Sequence, residues 1–156
     1  MRIIGALLIL CSSVFIAYGA VFKIQTTLQA TSALRSVMEQ VKNLIECYSL
    51  PIGQIFKRID PSVIEACGYK GKALPTDLSE LAENSVVLDK ESREIFLAFA
   101  KDFGKGYRKD ELSRCSMFLE RMRSREQKLS KETEKKKRVI MAISICGALA
   151  VVILLI

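Results

Sequence analysis

The chain has 156 residues, enough for one domain, with 50% hydrophobic and 26% charged residues and a formal net charge of +7. Histidine is absent, so there is no imidazole base and no His-containing zinc site, and the five cysteines form no CxxC pair that would signal a zinc site or a disulfide framework. This composition disfavours an enzyme and predicts neither a metal nor a cofactor.

The chain begins with an apolar run over residues 3–22 that includes no charged side chain. About 20 such residues cross the hydrocarbon core of a bilayer as a helix. Arg2 before the run and Ala17-Tyr18-Gly19 near its end also allow a cleaved signal peptide. Because the run is longer than a usual signal core and the helical pattern continues after it, we expect an uncleaved transmembrane helix over residues 1–22.

A long helix is expected to continue from this run into the middle of the chain. Leu34, Val41 and Tyr48 are spaced seven residues apart, with further apolar residues between them on the same side, as in a coiled coil. Pro51 disfavours helix at the residue before it, so the helix should end near Ser49.

Shorter helices are expected in the middle of the chain. One covers residues 52–59, a second opens at Pro61 and ends at Gly68, and a third has Pro75 in its first turn. Proline suits the first turn because the amide hydrogen that it lacks has no partner within the helix there.

A phenylalanine-rich helix follows, with Asp89 as its candidate N-cap and Gly104 as its end. Residues 103–107 contain two glycines and a lysine. They lack the third glycine of a phosphate-binding loop, follow a helix rather than a strand, and contain no GKS or GKT, so we interpret them as a turn. Residues 85–88 give the only weak strand signal, so the predicted fold class is all-α.

The last helix is expected from about Tyr107 to the end of the chain. Its apolar seam follows a heptad of Leu112, Cys115, Leu119, Met122 and Leu129. Glu126 takes the remaining seam position, where it either sets the register or faces a partner, or marks a seam that frays toward solvent. Residues 130–138 are polar all round and predict an exposed stalk. Residues 139–156 carry no charge and predict a second transmembrane helix.

The net charge is concentrated before the second apolar run. Residues 1–104 contain equal numbers of acidic and basic residues, so the whole excess lies within residues 105–138. The membrane-proximal cations are Lys131, Lys135, Lys136, Lys137 and Arg138. The positive-inside rule therefore places residues 23–138 in the cytoplasm and both termini outside. Since both long helices reach the bilayer from one side, they should be antiparallel neighbours in a bundle of about six helices.

The basic helix has three conceivable partners: anionic lipid, an acidic protein and nucleic acid. Arg121, Arg123 and Arg125 do not share one narrow helical face, and no aromatic residue interleaves with the cations after Phe118, which argues against nucleic acid. Lipid headgroups are favoured because the lysines adjoin a predicted membrane span. An acidic protein partner stays open.

The order and spacing of several segments point to a known family. The first apolar run carries Gly5 and Gly19, the first long helix ends in Glu46-Cys47-Tyr48 before Pro51-Ile52, the Phe-rich helix ends in Phe103-Gly104, and the chain stops in Gly147 and Val152-Ile153-Leu154-Leu155-Ile156. Together they resemble the stage III sporulation protein AB family of endospore-forming bacteria. Tyr107 stands where the family has an aspartate and Ala100 where it often has glycine, which marks a divergent member.

The resemblance implies a non-enzymatic role. The family is similar to the cytoplasmic helical domain of inner-membrane platform proteins in type II secretion and type IV pilus machines. Its members belong to a channel between mother cell and forespore whose operon also encodes a cytoplasmic secretion-type ATPase. By that analogy the bundle docks the ATPase, and the anchors lie among other membrane proteins in the mother-cell membrane facing the forespore, in a possible oligomer.

The end of the bundle farthest from the membrane is the expected docking surface for the ATPase. Its candidate contact residues lie where the first long helix ends and the last begins: Glu46, Tyr48, Gly104, Tyr107, Arg108 and Lys109. The alternative hypothesis is a membrane-surface scaffold, unrelated to secretion, that binds anionic lipid through its basic helix.

Overall fold

A computed structural model describes residues 2–48, 55–71 and 75–155 of the protein. Within these ranges the chain forms five α-helices and a turn of 3-10 helix at Phe56–Arg58. The α-helices are α1 (Arg2–Tyr48), α2 (Pro61–Ala66), α3 (Leu78–Asn84), α4 (Lys90–Asp102) and α5 (Arg108–Leu155). The described residues contain no strand, only one isolated antiparallel bridge between Tyr69 and Ser85. The all-α prediction is confirmed for this part of the chain.

The predicted helix boundaries agree closely with the structure for the two long helices. The first was expected to end near Ser49 and ends at Tyr48, and the last was expected from about Tyr107 and begins at Arg108. The helix predicted over residues 52–59 is described only from residue 55, and the rest of it lies outside the described residues.

The chain divides into two compact units. The first, called here the bundle unit, comprises Thr27–Lys128; the second, the terminal unit, comprises Met1–Thr26 and Leu129–Ile156. Both long helices contribute residues to both units. The predicted divisions at residues 22 and 138 concern membrane topology and stay a prediction.

The bundle unit buries the apolar seam of each long helix against the shorter helices. Phe99 of α4 is central, with its ring centroid 5.9 Å from that of Phe96, 5.5 Å from Phe103 and 5.8 Å from Phe118 on α5. The fully or almost fully buried side chains include Leu34, Val37, Met38 and Val41 of α1, Leu81 of α3, Phe96 and Phe99 of α4, and Cys115 and Met122 of α5. The predicted seams are therefore confirmed as core at Leu34 and Val41 of α1 and at Cys115, Leu119 and Met122 of α5.

The two long helices run antiparallel within the bundle unit, as expected. Arg35 Nε of α1 donates to Glu126 Oε2 of α5 at 2.7 Å, and Arg108 Nε of α5 donates to the Ile45 carbonyl of α1 at 3.1 Å. Residue numbers thus fall along α5 as they rise along α1. Glu126 pairs across the seam instead of fraying toward solvent, and a polar pair at a seam position fixes helix register.

Four predicted helix boundaries, the two ends of α2 and of α4, depend on aspartate caps and on glycine. Asp60 and Asp89 are N-caps whose side chains accept hydrogen bonds from backbone N–H groups two and three residues later. Gly68 and Gly104 follow the ends of α2 and α4 with φ of 75° and 84°, a conformation that glycine adopts without steric cost. These boundaries are confirmed.

The start of α3 differs from the prediction. Pro75 was expected in the first turn, but the helix begins after Asp77, whose side chain accepts from the Glu80 N–H at 2.8 Å. The Glu80 carboxylate in turn accepts from the Thr76 N–H at 2.7 Å. This reciprocal arrangement, similar to a capping box, fixes the boundary two residues beyond the proline. Hydrogen bonds from the backbone and hydroxyl of Thr76 hold the pKa of Glu80 below its usual value.

The terminal unit leaves most of its described large apolar side chains exposed. Examples are Val14, Phe15, Ile16, Tyr18 and Phe22 of α1, and Val139, Ile143, Ile145, Leu149 and Ile153 of α5. Its buried side chains include Ala17 and Val21 of α1 and Leu129 and Thr133 of α5. A search of the described residues finds no helix with the length and apolarity required to span a bilayer.

The predicted stalk over residues 130–138 is exposed at most positions but not at all of them. Thr133 is buried because it lies four residues after Leu129 and continues the same packed helix face. The prediction that every residue of the stalk is exposed is therefore wrong at Thr133.

Candidate docking site

The C-terminal end of α1 and the N-terminal end of α5 meet at one end of the bundle unit. The Arg108 side chain donates from Nε to the Ile45 carbonyl at 3.1 Å and from Nη2 to the Glu46 carbonyl. The last carbonyl groups of a helix have no partner within it, and a cation there also complements the helix dipole. Arg108 therefore caps α1 from a position more than sixty residues along the chain.

The turn between α4 and α5 is fixed by a glutamate. Glu111 is buried, and its Oε1 accepts from the Gly106 N–H at 2.8 Å, while its own N–H donates to the Tyr107 carbonyl at 2.9 Å. Gly104, in the left-handed conformation, lets the chain leave α4. The turn interpretation of residues 103–107 is confirmed, since these residues connect two helices.

The turn displays an aromatic ring among cations. Tyr107 is 86% exposed, and Lys105 and Lys109 beside it are also exposed. Residues 101–109 carry four cations and one carboxylate. Together with the last turn of α1, residues 45–48, they form what we call the bundle tip. Tyrosine is one of the residue types that are enriched at protein-binding surfaces.

The structure brings several of the predicted contact residues to the bundle tip. Arg108 joins the end of α1 at Glu46, whose side chain is exposed, and Tyr107 and Lys109 flank Arg108 in the chain. Tyr48 ends α1, and its side chain lies outside the described part of the molecule.

Lys105 in the bundle tip, and Glu111, which holds the adjoining turn, were not among the predicted contact residues. Lys105 contributes to the exposed positive charge of the turn. Glu111 holds the turn through its bond to the Gly106 N–H. Its position in the first turn of a helix was the available signal.

The cations of residues 131–138 in α5 form a second exposed group. Lys131, Lys135, Lys136, Lys137 and Arg138 are all exposed in the terminal unit. Lys131, Lys135 and Arg138 share one helix face because they are spaced four and three residues apart. Lys136 and Lys137 lie on other faces of the same turns.

The buried thiols of the bundle unit are unreactive. Burial raises the pKa of Cys67 to about 12, and burial together with the nearby negative charge of Glu111 raises the pKa of Cys115 to about 11. Both thiols therefore stay protonated near neutral pH, where only a thiolate would act as a nucleophile or metal ligand. Within the described ranges, no cluster of potential ligands could hold a metal ion.

The sequence matches the model of a known family. Residues 2–156 match the model described as stage III sporulation protein AB. No curated protein and no solved structure matches the chain. The family match spans both units and includes the bundle tip.

Proposed function

Because the chain belongs to the stage III sporulation protein AB family and is therefore a sporulation-related protein, we propose that it is a non-enzymatic platform in a secretion-like channel between mother cell and forespore. The bundle tip docks a cytoplasmic secretion-type ATPase. The apolar ends lie among other membrane proteins of the channel. The architectural analogy with secretion platforms motivates the role, and the bundle tip supplies a specific surface for it.

The observation that carries the docking proposal is the presentation of Tyr107. Its ring is 86% exposed, yet its backbone is fixed by hydrogen bonding to Glu111, and Arg108 next to it is bonded to the end of α1. Because the backbone is held at this position, binding has to order only the side chain, and tyrosine has few rotatable bonds to lose. The surrounding cations select an acidic partner surface with a pocket for the ring.

Ion pairs join the helices of the bundle unit, as a protein that transmits force between its ends requires. Arg35 of α1 bonds Glu126 of α5, and Arg125 of α5 bonds Asp89 at the start of α4. Force applied at the bundle tip would therefore load both long helices together within this unit. No chemical step is required of the protein.

We also propose that the two charge-free segments, residues 3–22 and 139–156, insert in the mother-cell membrane facing the forespore. Their support is the sequence pattern, with lengths close to that of a bilayer-crossing helix, and the excess of cations before the second segment. The exposure of large apolar side chains such as Phe15 and Ile153 is consistent with a lipid environment. Residues 23–138 then lie in the cytoplasm and both termini outside.

Co-purification of the ATPase with the full chain tests the docking site. The double variant Tyr107→Ser, Lys109→Glu removes the ring and reverses one charge while leaving the Arg108 cap in place. We expect it to retain about tenfold less ATPase, since truncation of a central aromatic contact commonly costs that much. Lys90→Glu, at an exposed position at the opposite end of α4, makes the same charge change and should bind normally.

Two outcomes would contradict the proposal in different ways. Equal ATPase capture by the native chain and the double variant would remove the bundle tip as the docking site. Failure of the native chain to capture the ATPase would reject the adaptor role and favour the lipid-binding scaffold. Circular dichroism of both variants checks that their helix content is unchanged.

A further inference from the structure

We propose that a row of cations on α5 binds the headgroups of anionic phospholipids. The row consists of Lys131, Lys135 and Arg138, which are all exposed and lie on one face of the helix. The inference rests on the membrane placement proposed above and adds to it a lipid class and the residues that select it. It does not depend on the ATPase.

The row faces away from the packed side of the helix. Leu129 and Thr133 are buried, and Lys131 is two residues from each, which is about 200° around an α-helix. The cations are therefore presented to the surroundings of the terminal unit. Glu132 and Glu134 are exposed on the flanks, but residues 131–138 still contain five cations against these two carboxylates.

The same helix face continues into apolar residues. Ile145, Leu149 and Ile153 follow Arg138 at intervals of seven, four and four residues, and they are 54%, 52% and 73% exposed. The first of them lies about 10 Å along the helix from Arg138, comparable to the depth of a headgroup layer. One helix face thus carries positive charge and then exposed apolar surface in the order in which a phospholipid presents phosphate and acyl chain.

This succession favours lipid over the other possible partners. An acidic protein would pair with the cations but leave the adjoining apolar face uncovered, whereas an anionic phospholipid complements both parts. A cation near such a surface attracts it electrostatically, and the attraction weakens within a Debye length as salt is added.

The full chain reconstituted in phosphatidylcholine vesicles tests the row. Trace spin-labelled phosphatidylglycerol or spin-labelled phosphatidylcholine is added in separate samples. Electron paramagnetic resonance then measures the fraction of each labelled lipid whose motion is restricted by the protein. We expect a preference for phosphatidylglycerol of about threefold at low salt, approaching onefold at about 1 M salt. The triple variant Lys131→Gln, Lys135→Gln, Arg138→Gln should lose most of this preference. Soluble polyglutamate should leave the preference of the native chain in place.

A matched triple variant in the bundle unit controls for net charge. Lys57→Gln, Lys70→Gln, Lys90→Gln removes the same charge from exposed side chains outside the bundle tip and should retain the lipid preference. The row is not the binding site if the native chain restricts the two lipids equally. The same conclusion follows if the α5 variant retains the preference for phosphatidylglycerol. Loss of the preference on adding polyglutamate would assign the row to an acidic protein instead.

The experiment also separates this inference from the membrane placement on which it rests. Absence of a restricted fraction for either lipid would reject membrane insertion and with it the headgroup site. Restriction of both lipids to the same extent would keep the insertion and reject only the headgroup site.

Discussion

The bundle unit and the terminal unit share two helices, but the first buries apolar side chains that the second leaves exposed. Leu34 and Met38 of α1 are fully buried, whereas Phe15 and Ile16 of the same helix are 81% and 73% exposed. In the bundle unit, apolar residues recur on one side and pack in a shared core with α2, α3 and α4. In the terminal unit they occupy all faces of the helix. The periodicity of apolar residues therefore predicts burial better than their abundance does.

Truncating a phenylalanine in each unit tests this contrast with the largest expected effect. Phe96→Ala should lower the free energy of unfolding by about 3–5 kcal/mol, because it leaves a cavity in a core where Phe96 is fully buried. Phe15→Ala removes the same atoms from an exposed site and should change it by no more than about 0.5 kcal/mol. Urea unfolding of the full chain in a mild detergent measures both. Equal losses would contradict the contrast.

A smaller effect is expected from the ion pair that joins α5 to α4. Arg125 is 12% exposed and donates to Asp89 Oδ2 at 2.9 and 3.1 Å, with Glu91 at 2.8 Å. Arg125→Ala should cost about 2–3 kcal/mol because Asp89 then loses a charged partner in a partly buried place. The exposed Lys90–Glu94 pair is the control, and Lys90→Ala should cost no more than about 0.5 kcal/mol in the same urea titration. Similar costs for the two variants would show that the bundle unit does not depend on this bridge.

The two units should also respond differently to a glycine substitution. Gly104→Ala should destabilise the protein by about 1–2 kcal/mol because φ of 84° is unfavourable for a residue with a Cβ atom. Gly19→Ala lies within α1, where no heavy atom is within 4 Å of the added carbon, and should raise helix stability by up to about 1 kcal/mol. Thermal unfolding followed by circular dichroism compares them. Destabilisation by Gly19→Ala would indicate close packing in the terminal unit.

The smallest effect expected is a dependence of bundle stability on acidic pH. Burial alone would raise the pKa of Asp89, but hydrogen bonds from Ser92 and the Arg125 guanidinium outweigh it, so the pKa is lowered. The stabilisation is complete above the unfolded value of about 3.9 and is lost as the pH falls through the lower folded pKa. The urea midpoint should therefore fall at acidic pH. Asp89→Asn, which still caps α4, should show a shallower fall, and an unchanged slope would argue against this role.

Local features of the fold could be predicted from the sequence. Heptad spacing located most of the buried seam positions of both long helices, and the positions of Pro61, Asp89 and Gly104 located helix ends, because these signals act within a few residues. The start of α3 was predicted wrongly from Pro75. Proline is favoured in the first turn of a helix, but that preference takes no account of the hydrogen bonds that make Asp77 the cap. Side-chain hydrogen bonding there sets the boundary.

The pairing of side chains that are far apart in the chain could not be predicted from the sequence. The interactions of Arg35 with Glu126, and of Arg108 with the end of α1, join residues far apart in the chain, and nothing local identifies the partner. The burial of Thr133 likewise depends on what packs against α5. For the proposed docking site, the sequence predicted the turn at residues 103–107 but not the exposure of Tyr107, since aromatic residues are more often buried.

In the proposed topology, the two apolar ends insert in a bilayer and the helical body lies in the cytosol. A reporter that is active only outside the cytoplasm, such as alkaline phosphatase, tests it most directly when fused after Ile156 and, separately, inserted after the exposed Gly71. We predict activity from the fusion after Ile156 and none from the insertion after Gly71. At normal expression, an inactive fusion after Ile156 or an active insertion after Gly71 would each contradict this topology.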